Sequence, residues 1–263
     1  MATIRQAGTG TGAGPYSAAT APLIRAVSAT KVYGTGGAAV RALDDIDLEL
    51  PAGGFTAVMG PSGSGKSTLM HCLAGLDRLT SGQVFLGGTD LGALSDRELT
   101  VLRREQVGFV FQSFNLLPAL SAADNIALPA RLAKTSADPG WLAEVIEMLG
   151  ISDRLSHRPA QLSGGEQQRV AVARALAVQP RIVFADEPTG NLDSRSGALL
   201  LGFLRQAVRA LDQTILMVTH DPVAAAAADM VLFLADGHLA GRLTGPTPES
   251  VAQRLAALDD RNA

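Results

Sequence analysis

The 263-residue sequence has a single cysteine, Cys72, so no disulfide can form within the chain, and a reducing compartment, the cytoplasm, is the expected setting. It also lacks an excess of basic charge. Twenty-two Lys and Arg stand against 25 Asp and Glu, a net charge of -3, which argues against nucleic acid as the main partner. No apolar segment follows Arg5 in the Gly/Ala/Thr-rich N-terminus, so neither a signal nor a transit peptide is expected, and residues 1–20 are read as a disordered tail. No hydrophobic run is long enough to cross a bilayer. The greasiest, Val223 to Leu234, is broken by Asp229 and falls far short of the roughly 20 apolar residues a span needs. If such a chain works at a membrane, it borrows the membrane part. What is present is 47% hydrophobic content, enough to bury a sizeable core.

The apolar pattern starts as β. Leu23 to Tyr33 and Val40 to Leu50 alternate apolar and polar residues across a turn at Gly34 to Gly37, and Phe55 to Met59 is a short apolar strand. Gly60 to Gly65 then lead into a helix over Lys66 to Leu76, with Leu69, Cys72 and Leu73 at helical spacing. Further strands are predicted at Val84 to Leu86 and Val107 to Phe111, with a charged helix around Ser95 to Glu105. From Ser121 to Leu155 strand signals vanish, and helical patterns interrupted by Pro118, Pro129 and Pro139-Gly140 suggest an inserted helical lobe. The apolar runs Ile182 to Ala185, Ile215 to Val218 and Met230 to Leu234 then alternate with helices at Ser194 to Leu211 and Pro222 to Ala228. That alternation implies a parallel sheet covered on both faces. Pro246 to Ala263 reads as one amphipathic helix, with no second domain and no repeat.

Gly60-Pro61-Ser62-Gly63-Ser64-Gly65-Lys66-Ser67-Thr68 fits G-x-x-x-x-G-K-[ST] immediately after a strand and at the opening of a helix. Backbone N–H groups of such a loop converge, and the helix N-terminus adds partial positive charge, so a polyphosphate is the expected guest. Lys66 is expected to reach the β- and γ-phosphates and the Ser67 hydroxyl to hold Mg²⁺, with Thr68 supporting it. Downstream, the strand Ile182 to Ala185 ends in Asp186-Glu187-Pro188, two carboxylates at the sheet edge where open α/β proteins keep their ligands. Alone the pair would be an ordinary solvated turn. Beside a phosphate loop, Asp186 suits the Mg²⁺ shell and Glu187 the activation of a water, with Pro188 expected to hold Glu187 extended.

Leu162-Ser163-Gly164-Gly165-Glu166-Gln167-Gln168-Arg169 reads first as a capping box, with Ser163 as N-cap and Glu166 three residues on. A cap does not explain two consecutive glycines, each costing roughly 1 kcal/mol in a helix relative to alanine. Glycines there let an anion approach the N–H groups. The chain thus has two helix starts fit for phosphate, about one hundred residues apart.

Over about residues 22–245 these features resemble the ABC ATPase family, whose LSGGQ-like signature corresponds to Leu162 to Glu166, with Glu166 a tolerated variant at the fifth position. The resemblance implies an α/β fold: a P-loop NTPase core with a mostly parallel sheet, an N-terminal antiparallel β subdomain and a helical subdomain inserted at about 113–162. One such domain would fill residues 21–263, with 246–263 as its C-terminal helix. It implies ATP and Mg²⁺ as ligands and a head-to-tail homodimer in which Ser163, Gly164, Gly165 and Glu166 meet the partner's ATP. By the same resemblance Tyr33 is the adenine-stacking aromatic, stacking being worth on the order of 1 to 3 kcal/mol. Gln112 is the glutamine sensing Mg²⁺ and the γ-phosphate, Asp193 in Asn191-Leu192-Asp193 the D-loop aspartate, and His220 the switch histidine. Asp193 would serve equally as a helix cap, and Asp221-Pro222 can start the next helix without His220.

Phe114-Asn115-Leu116-Leu117-Pro118 after Gln112, and Gly190 before Asn191, are similar to the group serving macrolide-export and lipoprotein-release permeases. That likeness implies an ATPase on the inner face of the cell membrane, partnered with a separately encoded integral-membrane permease and coupled to export or extracytoplasmic mechanical work. No nucleic acid is expected. A soluble ABC ATPase acting on nucleic acid or ribosomes is the alternative. Such relatives carry coiled-coil insertions or two ATPase cores in one chain, and this sequence has neither.

Overall fold

The computed structural model describes residues 21–259, so the tail read at residues 1–20 and positions 260–263 of the C-terminal helix lie outside the described residues. Strands β1 (Ile24–Tyr33) and β2 (Val40–Leu50) pair antiparallel, joined by a 3-10 turn at Gly36–Ala38. Every residue of β3 (Phe55–Met59) is buried. Helix α1 (Lys66–Leu73) ends three residues before the predicted Leu76, whose N–H turns back to the His71 carbonyl at 2.8 Å and closes the helix. Strand β4 (Ser81–Leu86) starts earlier than predicted and pairs antiparallel with β1, and the short β5 (Thr89–Asp90) pairs with β4. A Ser95–Glu98 capping box opens α2 (Asp96–Gln106), which runs directly into β6 (Val107–Phe111).

Helices α3 (Ala122–Ala133) and α4 (Pro139–Met148) occupy the stretch without strand signals, followed by α5 (Gly164–Leu176). Pro129 does not interrupt: it lies inside α3. A proline there forfeits a helical hydrogen bond, but burial of Ala122, Ile126 and Ala130 on one side of the helix holds α3 together through it. Pro139 instead starts α4, where its missing N–H costs nothing, behind the Asp138 cap.

The chain continues through β7 (Ile182–Asp186), α6 (Ser194–Leu211), β8 (Thr214–Val218), α7 (Pro222–Ala225), β9 (Met230–Ala235), β10 (His238–Thr244) and α8 (Pro248–Asp259). Two expectations shift here. Helix α7 stops at Ala225, not Ala228, and α8 begins at Pro248, not Pro246. Strand β10 has no counterpart in the sequence reading, because this edge strand is nowhere fully buried and shows no clean alternation.

The strands form a four-stranded antiparallel sheet, β2-β1-β4-β5, and a six-stranded sheet, β10-β9-β3-β8-β7-β6, parallel except for β10. Successive residues of the central strands enter opposite cores. Val183, Ala185, Ile215 and Met217 face a core shared with α5, α6 and α8, while Phe184, Leu216 and Val218 face one shared with α1 and the antiparallel sheet. Both faces being covered is why these strands read as continuous apolar runs. Among the described residues no helix is long and apolar enough to cross a membrane.

Candidate nucleotide site

Sheet register assembles the first half of the site. Phe111 lies opposite Asp186, Asp186 opposite Val218, and Val218 opposite Val58, so four parallel strands end abreast. The residues just beyond those ends are Gln112, Glu187, His220 and the loop from Gly60 to Gly65, brought to one edge from across the chain.

Two glycines shape the loop. A Cβ on Gly60 would collide with the Leu234 carbonyl and stand 2.8 Å from Ser64 Oγ, and one on Gly65, at φ +100°, would strike the Ala42 carbonyl. Gly65 is the N-cap of α1 and provides no side chain, nor is there an acid in the first turn, so that terminus has no anion of its own. Ser64 Oγ is buried with no hydrogen-bond partner among the described residues. The Lys66 ammonium donates to the carbonyls of Gly60 (2.9 Å) and Pro61 (2.7 Å), across the loop mouth. Burial lowers its pKa, against the pull of Glu187 and Asp186. An uncapped helix start, an orphaned hydroxyl and an ammonium on one loop fit a phosphate chain.

Asp186 and Glu187 stand at the end of β7 as expected, but Glu187 is not extended: its φ is +45°. The preference imposed by Pro188 is overridden because the Glu187 N–H donates to the Val218 carbonyl (2.9 Å) while its own carbonyl accepts from Gly190 N–H (3.0 Å). The Glu187 carboxylate lies 3.0 Å from His220 Nδ1. Burial raises the pKa of the Asp186 carboxyl, opposed by His71 and reinforced by Glu187. Among the described residues no cluster of three His, Cys, Asp or Glu side chains could hold a metal alone. The Ser67 hydroxyl opens α1 and the Asp186 carboxyl ends β7, oxygen donors of the kind a hard divalent cation takes.

Tyr33 is 42% exposed at the end of β1. Its hydroxyl donates to Asp77 (2.7 Å), and the Lys31 ammonium sits 4.8 Å from the ring centroid. Desolvation and Asp77 raise its pKa.

The other phosphate-competent helix start stands apart. Ser163 caps α5 in the predicted capping box with Glu166; among the described residues its N–H and hydroxyl bond only to that residue, and its carbonyl accepts from the Gln167 N–H of the same helix. Among the described residues no hydrogen bond joins it to Lys66, Glu187 or His220. A Cβ on Gly165 would press to 3.0 Å from Ser196 Oγ, beside the Asp193 cap of α6. Gln112 is tied to the same region: its side chain donates to Asn191 (3.3 Å), whose amide donates back to the Gln112 carbonyl (3.0 Å).

Several participants escape a sequence reading. Gln168, fully buried, donates to the carbonyls of Pro188 (2.7 Å) and Phe111 (3.3 Å), tying α5 to both strand ends. Arg174 holds the carbonyls of Phe114 and Asn115. Asp77 anchors Tyr33, and Arg154 binds Glu166 at 2.6 Å. The glutamine and arginines sit in or near an obvious motif, but nothing local indicates where they reach.

The family model described as ABC transporter matches residues 43–190. A macrolide export ATP-binding/permease protein, MacB 1/2 of Paracoccus denitrificans, is 48% identical over 228 residues, covering 86% of this chain and 34% of that protein. The chain thus spans about a third of the length of the macrolide-export relatives it matches. An uncharacterized ABC transporter ATP-binding protein of Methanocaldococcus jannaschii, MJ1508, is 44% identical over 221 residues, covering 82% of this chain and 97% of that one. The dimeric post-hydrolysis structure of the ATP-binding cassette MJ0796 with ADP and Pi superimposes with a TM-score of 0.76 at 37% identity, covering 85% of this chain and 99% of that one. Family match, fold and phosphate loop agree, and the chain belongs to the ABC transporter family as an ATP-binding ATPase cassette.

Proposed function

We propose that residues 21–263 form one ATPase cassette that works as a head-to-tail homodimer, driving an integral-membrane permease on a separate polypeptide from the inner face of the cell membrane, in export or extracytoplasmic mechanical work. The observation that carries this reading is the division of the phosphate-binding groups. Lys66, Glu187 and His220 gather at one sheet edge, while exposed Ser163 bonds only to its own helix. A second copy brings that serine, with Gly164, Gly165 and Glu166, onto the γ-phosphate, and the dimeric state of MJ0796 supports the arrangement. The name of the MacB relatives joins an ATP-binding part to a permease, and the cassette-length MJ1508 relative supports placing the permease on another chain.

Within each site, Gly60 to Thr68 cradle the phosphates and Lys66 offsets their charge. Tyr33 stacks on adenine. Ser67, Asp186 and Gln112 would hold Mg²⁺, which would supply positive charge against the phosphates. Glu187 takes a proton from the attacking water. His220, oriented through Nδ1 by Glu187, offers Nε2 to the γ-phosphate. Asp193 at the seam and the Gln112–Asn191 pair relay closure toward the lobe at about 113–162.

Glu187→Gln should slow ATP hydrolysis by about two to four orders of magnitude while ATP binding persists, and light scattering should show that variant dimerising with MgATP. Wild-type turnover in the variant would remove Glu187 as the base. A monomer at saturating MgATP would remove the head-to-tail dimer.

A further inference from the structure

Glu166 puts a negative charge at the helix start that the proposed dimer presents to the partner's ATP. Its two oxygens are used differently. Oε2 accepts from the Ser163 N–H and hydroxyl, both at 2.8 Å, whereas Oε1 accepts from Arg154 Nε at 2.6 Å. The Glu166 side chain is 18% exposed and that of Arg154 37%, so the pair is partly shielded. Arg154 and the two Ser163 donors hold the carboxyl down at about 2, ionised at any working pH. Arg154 is itself braced, its second arm on Asp153 (2.6 Å) and its N–H on the Ile151 carbonyl (3.0 Å), in the 3-10 turn Ser152–Arg154 that follows α4.

A bare carboxylate here would repel an incoming γ-phosphate and, rotating freely, would release the serine. We propose that Arg154 is a positioning residue for the signature serine: it clamps Glu166 and offsets its charge, so that Ser163 is held in place and the partner's nucleotide meets less negative charge. The proposal rests on the head-to-tail reading above. It also gives the 3-10 turn a direct hold on the signature helix, so movement of the lobe is felt at Ser163.

The test is a double-mutant cycle in the full chain carrying Glu187→Gln, with dimerisation followed by light scattering against MgATP. Arg154→Ala should raise the half-dimerising ATP concentration about tenfold, and Arg154→Lys, which keeps the charge, by no more than about threefold. With Glu166→Gln already in place, whatever its own level, removing Arg154 should change that concentration less than about twofold, since no charge remains to neutralise. With Glu187 intact, Arg154→Ala should raise KM for ATP about tenfold and leave kcat within about threefold. An Arg154→Ala protein that dimerises like its parent, or an equal Arg154 effect with and without Glu166→Gln, overturns the assignment. Ser163→Ala separates the two ideas: if it too dimerises like its parent, the trans reading fails and takes the proposal with it. If Ser163→Ala is impaired while Arg154→Ala is not, only the role of Arg154 is lost.

Discussion

Helices α1 and α5 both start on glycine-rich segments and lie on opposite sides of the proposed composite site, yet their termini are finished in opposite ways. At α1 the N-cap is Gly65 in a left-handed conformation, with no side-chain cap and no acid in the first turn. At α5 the N-cap is Ser163 in a full capping box, with Glu166 in the first turn and Arg154 behind it. The first terminus leaves its N–H groups and its partial positive charge to a guest. The second caps one first-turn N–H with Ser163 Oγ and sets its own carboxylate beside the terminus, on the Ser163 N–H and hydroxyl. In the proposed dimer this difference would leave α1 to hold ATP and α5 to close on it.

The largest effect should come from Lys66→Ala. Removing the one ammonium at the α1 terminus should weaken ATP binding to the isolated chain about 100-fold, read by equilibrium dialysis, whereas Ser163→Ala should leave cis binding within about twofold. Comparable losses in both would erase the contrast. Next come the glycines. Gly65→Ala adds a Cβ against the Ala42 carbonyl at φ +100° and should cost about 1–3 kcal/mol in denaturant unfolding. In Gly164→Ala the nearest atom lies 3.7 Å away, so helix propensity should make it stability-neutral or better by up to about 1 kcal/mol while MgATP-driven dimerisation falls. Ser163→Ala should lower the stability of the apo chain by about 1 kcal/mol, as loss of a cap does.

The smallest effect is a pH dependence. The Glu166 carboxyl is held at about 2 against its ordinary 4.5. A carboxyl held below its unfolded value contributes stability that is present above pH 4.5 and lost as pH falls toward 2. The stability gap between the parent and Glu166→Gln should therefore be flat above about pH 5 and close on acidification. A gap that widened instead would mean that Glu166 is not the anion completing α5.

Much of the site is legible where its chemistry is local. The phosphate loop, the acids ending β7 and the Ser163–Glu166 box each lie within a few residues of chain, and strand or helix context follows from apolar period alone. The misreadings have tertiary causes. Pro188 argued for an extended Glu187, but bonds to Val218 and Gly190 impose a left-handed one. Pro129 argued for a break that the buried side of α3 prevents. Strand β10 has no burial pattern to betray it, because only β9 flanks it. Gln168 and Arg154 look like ordinary polar residues until their partners 20 and 12 positions away are known.

The sequence by itself determined the chemistry available: a glycine-lined loop without a cap of its own, a lysine, a pair of carboxylates, a self-capped second helix start, and apolar strands that must be covered on both faces. These properties depend on neighbouring residues and backbone periodicity, which no distant contact has to supply. Only the tertiary structure decided which groups share an edge. Lateral register sets Phe111, Asp186, Val218 and Val58 level across four strands, and hydrogen bonds between segments far apart in the chain set the conformation of Glu187 and the anchoring of Tyr33, Gln112 and Glu166. Pairing between distant strands is a collective result of packing both cores at once, so no single segment encodes it.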